Sequence, residues 1–259
     1  MPELPDVEGF RGVMERCAAG RRVDDVEVRD AGVLRGVSAR RLRRELRGRR
    51  FGTPWRHGKQ LVTPSDGPAL VWHFGMTGEL LCRTPDAAVE AHDRVLITLD
   101  DGRQLRYRDQ RKLQGVRLAA DEAAVERMLA DLGPDAQELD RSRFLRLMAG
   151  RRGGIKSALT DQSLLAGLGN LLADEILWRA RVRPDRPVRD LGDDELRRVH
   201  AAMGRVLRSS VRAGRVPDRR GWLTGRRDDA APVCPRCGRP LASGRTAGRR
   251  TVWCEHCQS

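Results

Sequence analysis

Four cysteines near the C-terminus have the spacing of a metal site. Cys234 and Cys237 form one C-x-x-C pair, Cys254 and Cys257 form a second, and sixteen residues lie between the pairs. Each pair can fold as a tight knuckle, so four thiolates can converge tetrahedrally on one zinc ion. Because four protein ligands leave no open coordination position, the pattern predicts a structural zinc rather than a catalytic one. A dithiol redox pair is the alternative, although no thioredoxin-type βαβ pattern surrounds these cysteines.

The charge balance indicates a polyanionic partner. The chain has 50 Lys and Arg residues against 36 Asp and Glu residues, a formal net charge of +14. Most of this excess is arginine, whose planar guanidinium makes bidentate phosphate contacts. We therefore expect nucleic acid as the partner rather than a membrane surface, with an arginine-biased genome as the alternative explanation of the charge.

Nothing in the sequence indicates a membrane or secreted protein. No stretch approaches the roughly 20 apolar residues of a membrane span, and no apolar signal core follows the start methionine. We therefore expect a cytoplasmic protein. Such a reducing compartment favours metal binding by cysteines over disulfides, and Cys17 and Cys82 stand alone in the sequence.

The elements that must position these residues fall into three zones. Residues 1–118 contain the buried run ALVWHF and the hairpin VLITL-DDG-RQLRY, which predict an antiparallel β-sandwich or barrel with one or two helices. Residues 119–222 carry apolar side chains at helical spacing, for example Val199 and Met203, and we interpret these stripes as core packing. Residues 223–259 contain the two cysteine pairs.

Four further stretches narrow the function, and they follow one another along the chain. PELPDVE opens the sequence, HGK follows the second predicted helix, HFGMTG ends a buried strand, and IKSALTDQSLLAGLGNLLADE lies in the helical zone. Their order and spacing resemble the formamidopyrimidine-DNA glycosylase and endonuclease VIII family of base-excision repair enzymes, over nearly the whole chain. The resemblance implies an α+β fold. It comprises an N-terminal two-layer antiparallel β-sandwich with flanking helices (1–118), a helix–two-turns–helix domain (119–222) and a four-cysteine zinc-finger β-hairpin (223–259).

The resemblance gives the opening residues Pro2 and Glu3 a chemical role. In the family the start methionine is removed and the new terminal proline is the nucleophile. An α-amine has a pKa of about 8, against about 10.4 for a lysine side chain, so far more of it is neutral near pH 7. Its attack on the sugar C1′ gives an iminium, which promotes strand cleavage by β,δ-elimination. Glu3 can shuttle protons beside this amine. A proline that only shapes the terminus is the alternative, and Asp6 stands where the family more often has glutamate.

The resemblance also assigns four residues to DNA phosphates. Lys59 matches a β-hairpin lysine that contacts phosphate and assists elimination. Arg249 matches an arginine of the zinc hairpin that reaches the phosphate at the lesion and is implicated in the final elimination, with Arg250 as the alternative if the register differs. Lys156 and Asn170 match phosphate-binding residues of the helix–two-turns–helix motif. The GLGN turn fits this role, because glycines let a ligand approach the backbone and the following helix offers free N–H groups to an anion.

Three more residues are expected to act when the damaged base leaves the stack, because an enzyme that works on a base must extrude it from the duplex. Met76 matches the methionine that fills the gap, and Arg111 matches the arginine that faces the orphaned partner base. Leu113 stands where the formamidopyrimidine branch usually has phenylalanine, so it would act as a wedge without stacking. His57, beside Lys59, has no match.

The expected function is therefore a base-excision DNA glycosylase with abasic-site lyase activity. We expect a monomer that is associated with the nucleoid and acts on double-stranded DNA containing oxidised bases or abasic sites. A non-catalytic damaged-DNA-binding or scaffold protein of the same fold and a zinc-ribbon RNA-modifying enzyme are the alternatives. By the resemblance, the segment before Cys234 is shorter than that of the formamidopyrimidine branch, in which it includes a loop that closes over 8-oxoguanine. We therefore expect 8-oxoguanine opposite cytosine to be a poorer substrate than abasic sites, formamidopyrimidines and oxidised pyrimidines.

Overall fold

The chain folds as two compact units. The computed structural model describes residues 1–246 and 248–259. Among the helices of these residues, none combines the length and the apolar composition of a membrane span. The first unit comprises Met1–Pro2 and Asp6–Ala130, and the second comprises Glu3–Pro5 and Asp131–Ser259. The short segment 3–5 therefore belongs with residues that follow it by more than a hundred positions.

Antiparallel strands build the first unit. They are β1 Val23–Val28, β2 Trp55–His57, β3 Gln60–Thr63, β4 Ala69–His73, β5 Glu79–Arg83, β6 Asp93–Leu99, β7 Gln104–Arg108 and β8 Val116–Ala119. The described strands form two four-stranded sheets, one in the order β1-β6-β7-β5 and the other in the order β2-β3-β4-β8. The predicted hairpin connects β6 with β7, and Gly102 supplies the φ of +81° that its turn requires.

Both sheets bury side chains in one core, which makes the first unit a two-layer sandwich. Val95 and Ile97 enter this core from the first sheet, and Leu61 and Trp72 enter it from the second. The flanking helices are α1 Leu4–Ala18, α2 Ala39–Leu46 and α3 Glu122–Leu129. The predicted fold class is confirmed.

A disulfide joins α1 to β5 in the first unit. Cys17 and Cys82 are bonded through their sulfur atoms, and their Cα atoms lie 6.0 Å apart. The expectation that metal binding would take precedence over disulfides, with these two cysteines standing alone, is wrong for this pair. The two cysteines are 65 residues apart in the sequence, so only the fold brings them together.

The second unit is mainly helical and ends in a hairpin. Its elements are α4 Arg141–Met148, α5 Ile155–Thr160, α6 Asn170–Ala180, α7 Asp193–Ala213, β9 Ala242–Thr246 and β10 Arg249–Trp253. Helix α6 is buried along most of its length, and the predicted stripe of α7, including Val199 and Met203, lies in the same core. β9 and β10 pair antiparallel, so the cysteine pairs flank a β-hairpin as predicted.

Candidate functional site

Glu3 occupies the N-terminus of α6. The residue is 1% exposed, and its carboxylate accepts hydrogen bonds from the backbone N–H groups of Gly169 at 2.9 Å, Leu171 at 2.8 Å and Leu172 at 3.1 Å. Unpaired N–H groups and the helix dipole favour an anion at this end of a helix. The GLGN turn predicts that these N–H groups bind a DNA phosphate, whereas in the structure the anion that they bind is the carboxylate of Glu3.

The N-terminal segment also explains the two glycines of the GLGN turn. A Cβ atom on Gly169 would lie 2.3 Å from Glu3 Cδ, and one on Gly167 would lie 2.6 Å from Leu4 Cδ1. Both distances are far shorter than van der Waals contact. Gly167 also adopts a φ of +113°, which favours glycine. The turn is glycine-rich because Glu3 and Leu4 pack directly against its backbone.

Asn170 is the first residue of α6, and Gln162 braces the turn before it. Gln162 Nε2 donates to the Leu168 carbonyl at 2.9 Å, and its Oε1 accepts from the Gly167 N–H at 3.1 Å. The Asn170 Oδ1 atom is buried without a hydrogen-bond partner among the described residues. An acceptor oxygen cannot bind phosphate directly, so the phosphate contact expected for Asn170 would use its Nδ2 and stays a prediction.

Lys156 does not lie at the surface of the second unit. It is 0% exposed, its Nζ lies 2.6 Å from Asp174 Oδ1, and it donates to Thr251 Oγ1 at 2.7 Å. Burial lowers the pKa of Lys156 and raises the pKa of Asp174, and the attraction between the two charges opposes each shift. Protein groups therefore enclose the ammonium, and Lys156 connects α5 with α6 and β10. The phosphate contact expected for Lys156 stays a prediction.

Arg249 begins β10 and is exposed. Its Nη1 donates to Thr160 Oγ1 at 3.1 Å. The next residue, Arg250, forms an ion pair with Asp228, and its Nη2 donates to the Arg227 carbonyl at 2.8 Å. A hydroxyl group cannot neutralise a guanidinium, whereas a carboxylate can. Arg249 is therefore the better placed of the two arginines for a phosphate, and that role stays a prediction.

The four cysteines converge within the second unit. The Sγ atoms of Cys234, Cys237, Cys254 and Cys257 all lie within 4.8 Å of one another, as a tetrahedral thiolate site requires. The indole N–H of Trp178 donates to Cys234 Sγ at 3.3 Å. Burial opposes ionisation of Cys234, but this bond and backbone N–H groups outweigh it and lower its pKa to about 7. These residues hold one structural zinc ion, and the prediction is confirmed.

In the first unit, Met76 and Arg111 lie side by side. Met76 is 41% exposed, and Arg111 Nη1 lies 2.9 Å from its sulfur. Leu113, two residues after Arg111, is 50% exposed. Exposed apolar side chains that can enter a base stack are typical of proteins that distort a duplex. The gap-filling and base-facing roles of these three residues stay predictions.

Asp109, a buried residue with no signal in the sequence, holds the two loops that carry Met76 and Arg111. Asp109 is 0% exposed; its Oδ1 accepts from Thr77 Oγ1 at 2.5 Å and from the Arg111 N–H at 3.1 Å, and its Oδ2 accepts from the Tyr107 hydroxyl at 3.2 Å. Thr77 directly follows Met76, so Asp109 fixes the loops that carry Met76 and Arg111. Thr77 lies 32 residues from Asp109 in the sequence, and no local spacing marks their contact.

Lys59 lies in the turn between β2 and β3. The Arg56 side chain pairs with Glu8 of α1 at 3.1 Å and donates to the Gly58 carbonyl at 2.8 Å, which braces this turn against α1. Burial, followed by the charge of Lys59, lowers the pKa of His73 to about 4. The phosphate and proton-transfer roles of Lys59 stay predictions.

The fold and these sites define a class of protein, the zinc-containing DNA glycosylases of base-excision repair. Models of three known domain families match three stretches of the chain. The formamidopyrimidine-DNA glycosylase N-terminal domain matches residues 1–116, the H2TH domain of the same glycosylase matches 132–219, and the zinc finger found in FPG and IleRS matches 232–259. The chain belongs to the formamidopyrimidine-DNA glycosylase family, and it is a DNA glycosylase of base-excision repair.

Individual relatives are similar over their full length. The formamidopyrimidine-DNA glycosylase of Nocardioides sp. is 35% identical over 289 residues, covering 100% of this chain and 94% of its own. That of Geobacter metallireducens is 35% identical over 271 residues and covers 100% of both chains. A Lactococcus lactis FPG variant bound to Fapy-dG-containing DNA superposes with a TM-score of 0.90 at 27% identity over 99% of each chain. MutM bound to DNA containing carbocyclic 8-oxo-G gives the same three values.

Proposed function

We propose that the protein removes oxidised bases from double-stranded DNA and also cleaves the strand at the abasic site, with Pro2 as the nucleophile once Met1 is removed. The observation that supports this proposal best is the anchoring of Glu3, which is 1% exposed and held by three backbone N–H groups. Chain ends usually fray, but a rigid Glu3 restricts the residue directly before it. A secondary amine in a restricted position suits nucleophilic catalysis.

The proposed reaction proceeds through a covalent adduct. The Pro2 nitrogen attacks C1′, the glycosidic bond breaks, and the base leaves with a proton. The ring oxygen then takes a proton and leaves C1′, which forms an iminium. The iminium withdraws electrons, so that C2′ loses a proton and the C3′–O bond breaks. A second elimination removes the C4′ proton and breaks the C5′–O bond, and water hydrolyses the iminium to release the amine. In this proposal Glu3, the residue after Pro2 in the sequence, carries protons to and from the sugar, and Lys59 and Arg249 stabilise the departing phosphates.

The substrate class follows from the relatives and from the charge of the chain. Solved relatives hold DNA with Fapy-dG, an abasic site or 8-oxo-G, and a net charge of +14 suits a duplex. In the segment before the zinc hairpin, Trp222 is 8% and Leu223 0% exposed, so these side chains pack into their own unit. Side chains that pack into their own unit do not close over a flipped base, so we propose that 8-oxoguanine opposite cytosine is a poor substrate. We also propose that the protein is a monomer and works at the nucleoid.

Borohydride trapping tests the proposed lyase. Borohydride reduces an iminium to a stable amine, so fully processed protein incubated with an abasic-site duplex should form a covalent protein–DNA adduct. A Pro2→Gly variant, or protein that keeps Met1, should form far less adduct while binding the duplex as the wild type does. An absent adduct with processed, DNA-binding protein would refute the lyase assignment and leave a monofunctional or non-catalytic protein.

A further inference from the structure

We propose that Asp174 is a positioning residue that holds Arg249 in place for its contact with DNA. The inference rests on the proposed function, in which Arg249 binds a phosphate. Asp174 lies at the centre of a buried cluster of three charged residues, Lys156, Asp174 and Arg227, which are 0%, 0% and 3% exposed. We call this group the α6 charge cluster.

Asp174 is the carboxylate shared by the two cations of the α6 charge cluster. Its Oδ1 lies 2.6 Å from Lys156 Nζ, and its Oδ2 accepts from Arg227 Nη1 at 2.8 Å. Oδ2 also lies 3.4 Å from the backbone nitrogen of Val252 in β10. Without this carboxylate, two buried positive charges would remain in a low-dielectric interior, where an unpaired charge is strongly unfavourable. Asp174 therefore determines whether Lys156 and Arg227 stay in their observed positions.

Lys156 transmits this restraint to Arg249. Its Nζ donates to Thr251 Oγ1 at 2.7 Å, and the same hydroxyl donates to the Arg249 carbonyl at 3.1 Å. Thr160, one turn after Lys156 on α5, accepts from Arg249 Nη1 at 3.1 Å. The backbone and the guanidinium of Arg249 are thus both held from the same face of α5.

Arg227 supplies a second restraint, which acts on Arg250, the residue after Arg249. Its carbonyl accepts from Arg250 Nη2 at 2.8 Å, and Asp228 forms an ion pair with the same guanidinium. Arg250 is thereby neutralised beside the segment that precedes the zinc hairpin. Arg250 is therefore paired with a carboxylate, whereas the Arg249 guanidinium contacts the Thr160 hydroxyl and can still bind an anionic ligand.

A double-mutant cycle tests the proposal on full-length, zinc-loaded protein. Binding of a duplex containing a tetrahydrofuran abasic analogue is measured at several salt concentrations for the wild type, Asp174→Asn, Arg249→Ala and the double variant. Each single change should weaken binding about tenfold, the size of one charge-assisted contact, and lower the salt slope by about 0.9. If Asp174 acts through Arg249, the double variant should bind no more weakly than Arg249→Ala alone.

A matched control separates positioning from general stability. Glu175 is the next residue on α6, is also 0% exposed, and pairs with Arg179 at 2.7 Å. Glu175→Gln should lower the melting temperature and leave the salt slope unchanged. If Asp174→Asn does not fold, Thr251→Val breaks the same connection without removing a charge, and the cycle is run with that variant.

The possible outcomes separate the positioning role of Asp174 from the phosphate contact of Arg249. Additive losses of affinity in Asp174→Asn and Arg249→Ala would overturn the positioning role of Asp174 while leaving the phosphate contact intact. Wild-type affinity and salt slope in Arg249→Ala would overturn the proposed role of Arg249, and the inference with it. A reduced salt slope in Glu175→Gln would show that any buried charge on α6 has this effect, and it would also overturn the specific role of Asp174.

Discussion

Replacement of Gly169 by alanine should displace Glu3 from the end of α6. The added Cβ would lie 2.3 Å from Glu3 Cδ and 2.5 Å from its Oε1, whereas ordinary contacts are 3.4–4 Å. Because both Glu3 and the turn are buried, the carboxylate must move by about 1 Å or more to relieve the overlap. Such a movement breaks its hydrogen bonds to the N–H groups of Gly169, Leu171 and Leu172.

The magnitude follows from those three bonds. Hydrogen bonds to a charged group each contribute about 1.5–3 kcal/mol, and they are not additive when they share one acceptor. We therefore expect the Gly169→Ala change to lower the free energy of unfolding of the second unit by about 3–5 kcal/mol, the usual range for breaking a buried charged interaction. Pro2 would lose its anchor at the same time. A misplacement of about 1 Å can reduce a rate about 100-fold, and we expect a loss of at least this size.

Urea unfolding and single-turnover cleavage of an abasic-site duplex measure the two effects. Gly153→Ala is the matched control, because a Cβ there meets nothing within 4 Å and the residue is not among those with positive φ. It should change neither quantity by more than a small amount. If Gly169→Ala retains wild-type stability and cleavage, the N–H groups of α6 do not hold Glu3 as described.

Two other outcomes concern the zinc site and a partly buried histidine, His73. Cys234→Ser should lose about one equivalent of zinc and DNA binding while the first unit stays folded, because thiolates and metal contribute directly to the stability of such modules; wild-type zinc content would contradict the ligand set. His73 Nδ1 accepts from the Gly75 N–H at 3.0 Å, and burial lowers the pKa of this side chain to about 4. The unfolded chain therefore binds the proton more readily. Stability should fall as pH drops from about 6.5 towards 4, by up to about 3 kcal/mol. His73→Asn keeps an acceptor oxygen for the Gly75 N–H but cannot bind the proton. Its free energy of unfolding should therefore lose this part of the pH dependence. Equal pH profiles for the variant and the wild type would contradict the assignment.

Local patterns were sufficient for the fold class and the metal. The C-x-x-C pairs are confirmed as a zinc site because knuckle geometry depends on a few neighbouring residues. The turn at Asp101-Gly102 was predicted correctly for the same reason, since its conformation is set by the residues that form it. Alternating and helical hydrophobic patterns likewise indicated the β-sandwich and the helical zone.

Local patterns failed where a residue's partner is remote. The sequence does not show that Asp174 reaches Lys156 from the next helix and that both side chains are enclosed, and the phosphate contact of Lys156 stays a prediction. The GLGN turn was expected to receive a ligand, and it receives Glu3 instead. A basic residue or a glycine looks the same in the sequence whether it contacts a ligand or packs against the protein itself. Its burial depends on which distant segment packs against it.

The sequence by itself determined the family, the fold class and the zinc ligands, since these depend on residue types at short or fixed spacing. Only the tertiary structure decided which charged and reactive groups meet: Glu3 with the start of α6, Asp174 with Lys156 and Arg227, and Cys17 with Cys82. The physical reason is that a contact between remote residues forms only when the packing of intervening elements brings them together. Its energy then depends on the burial that the same packing creates.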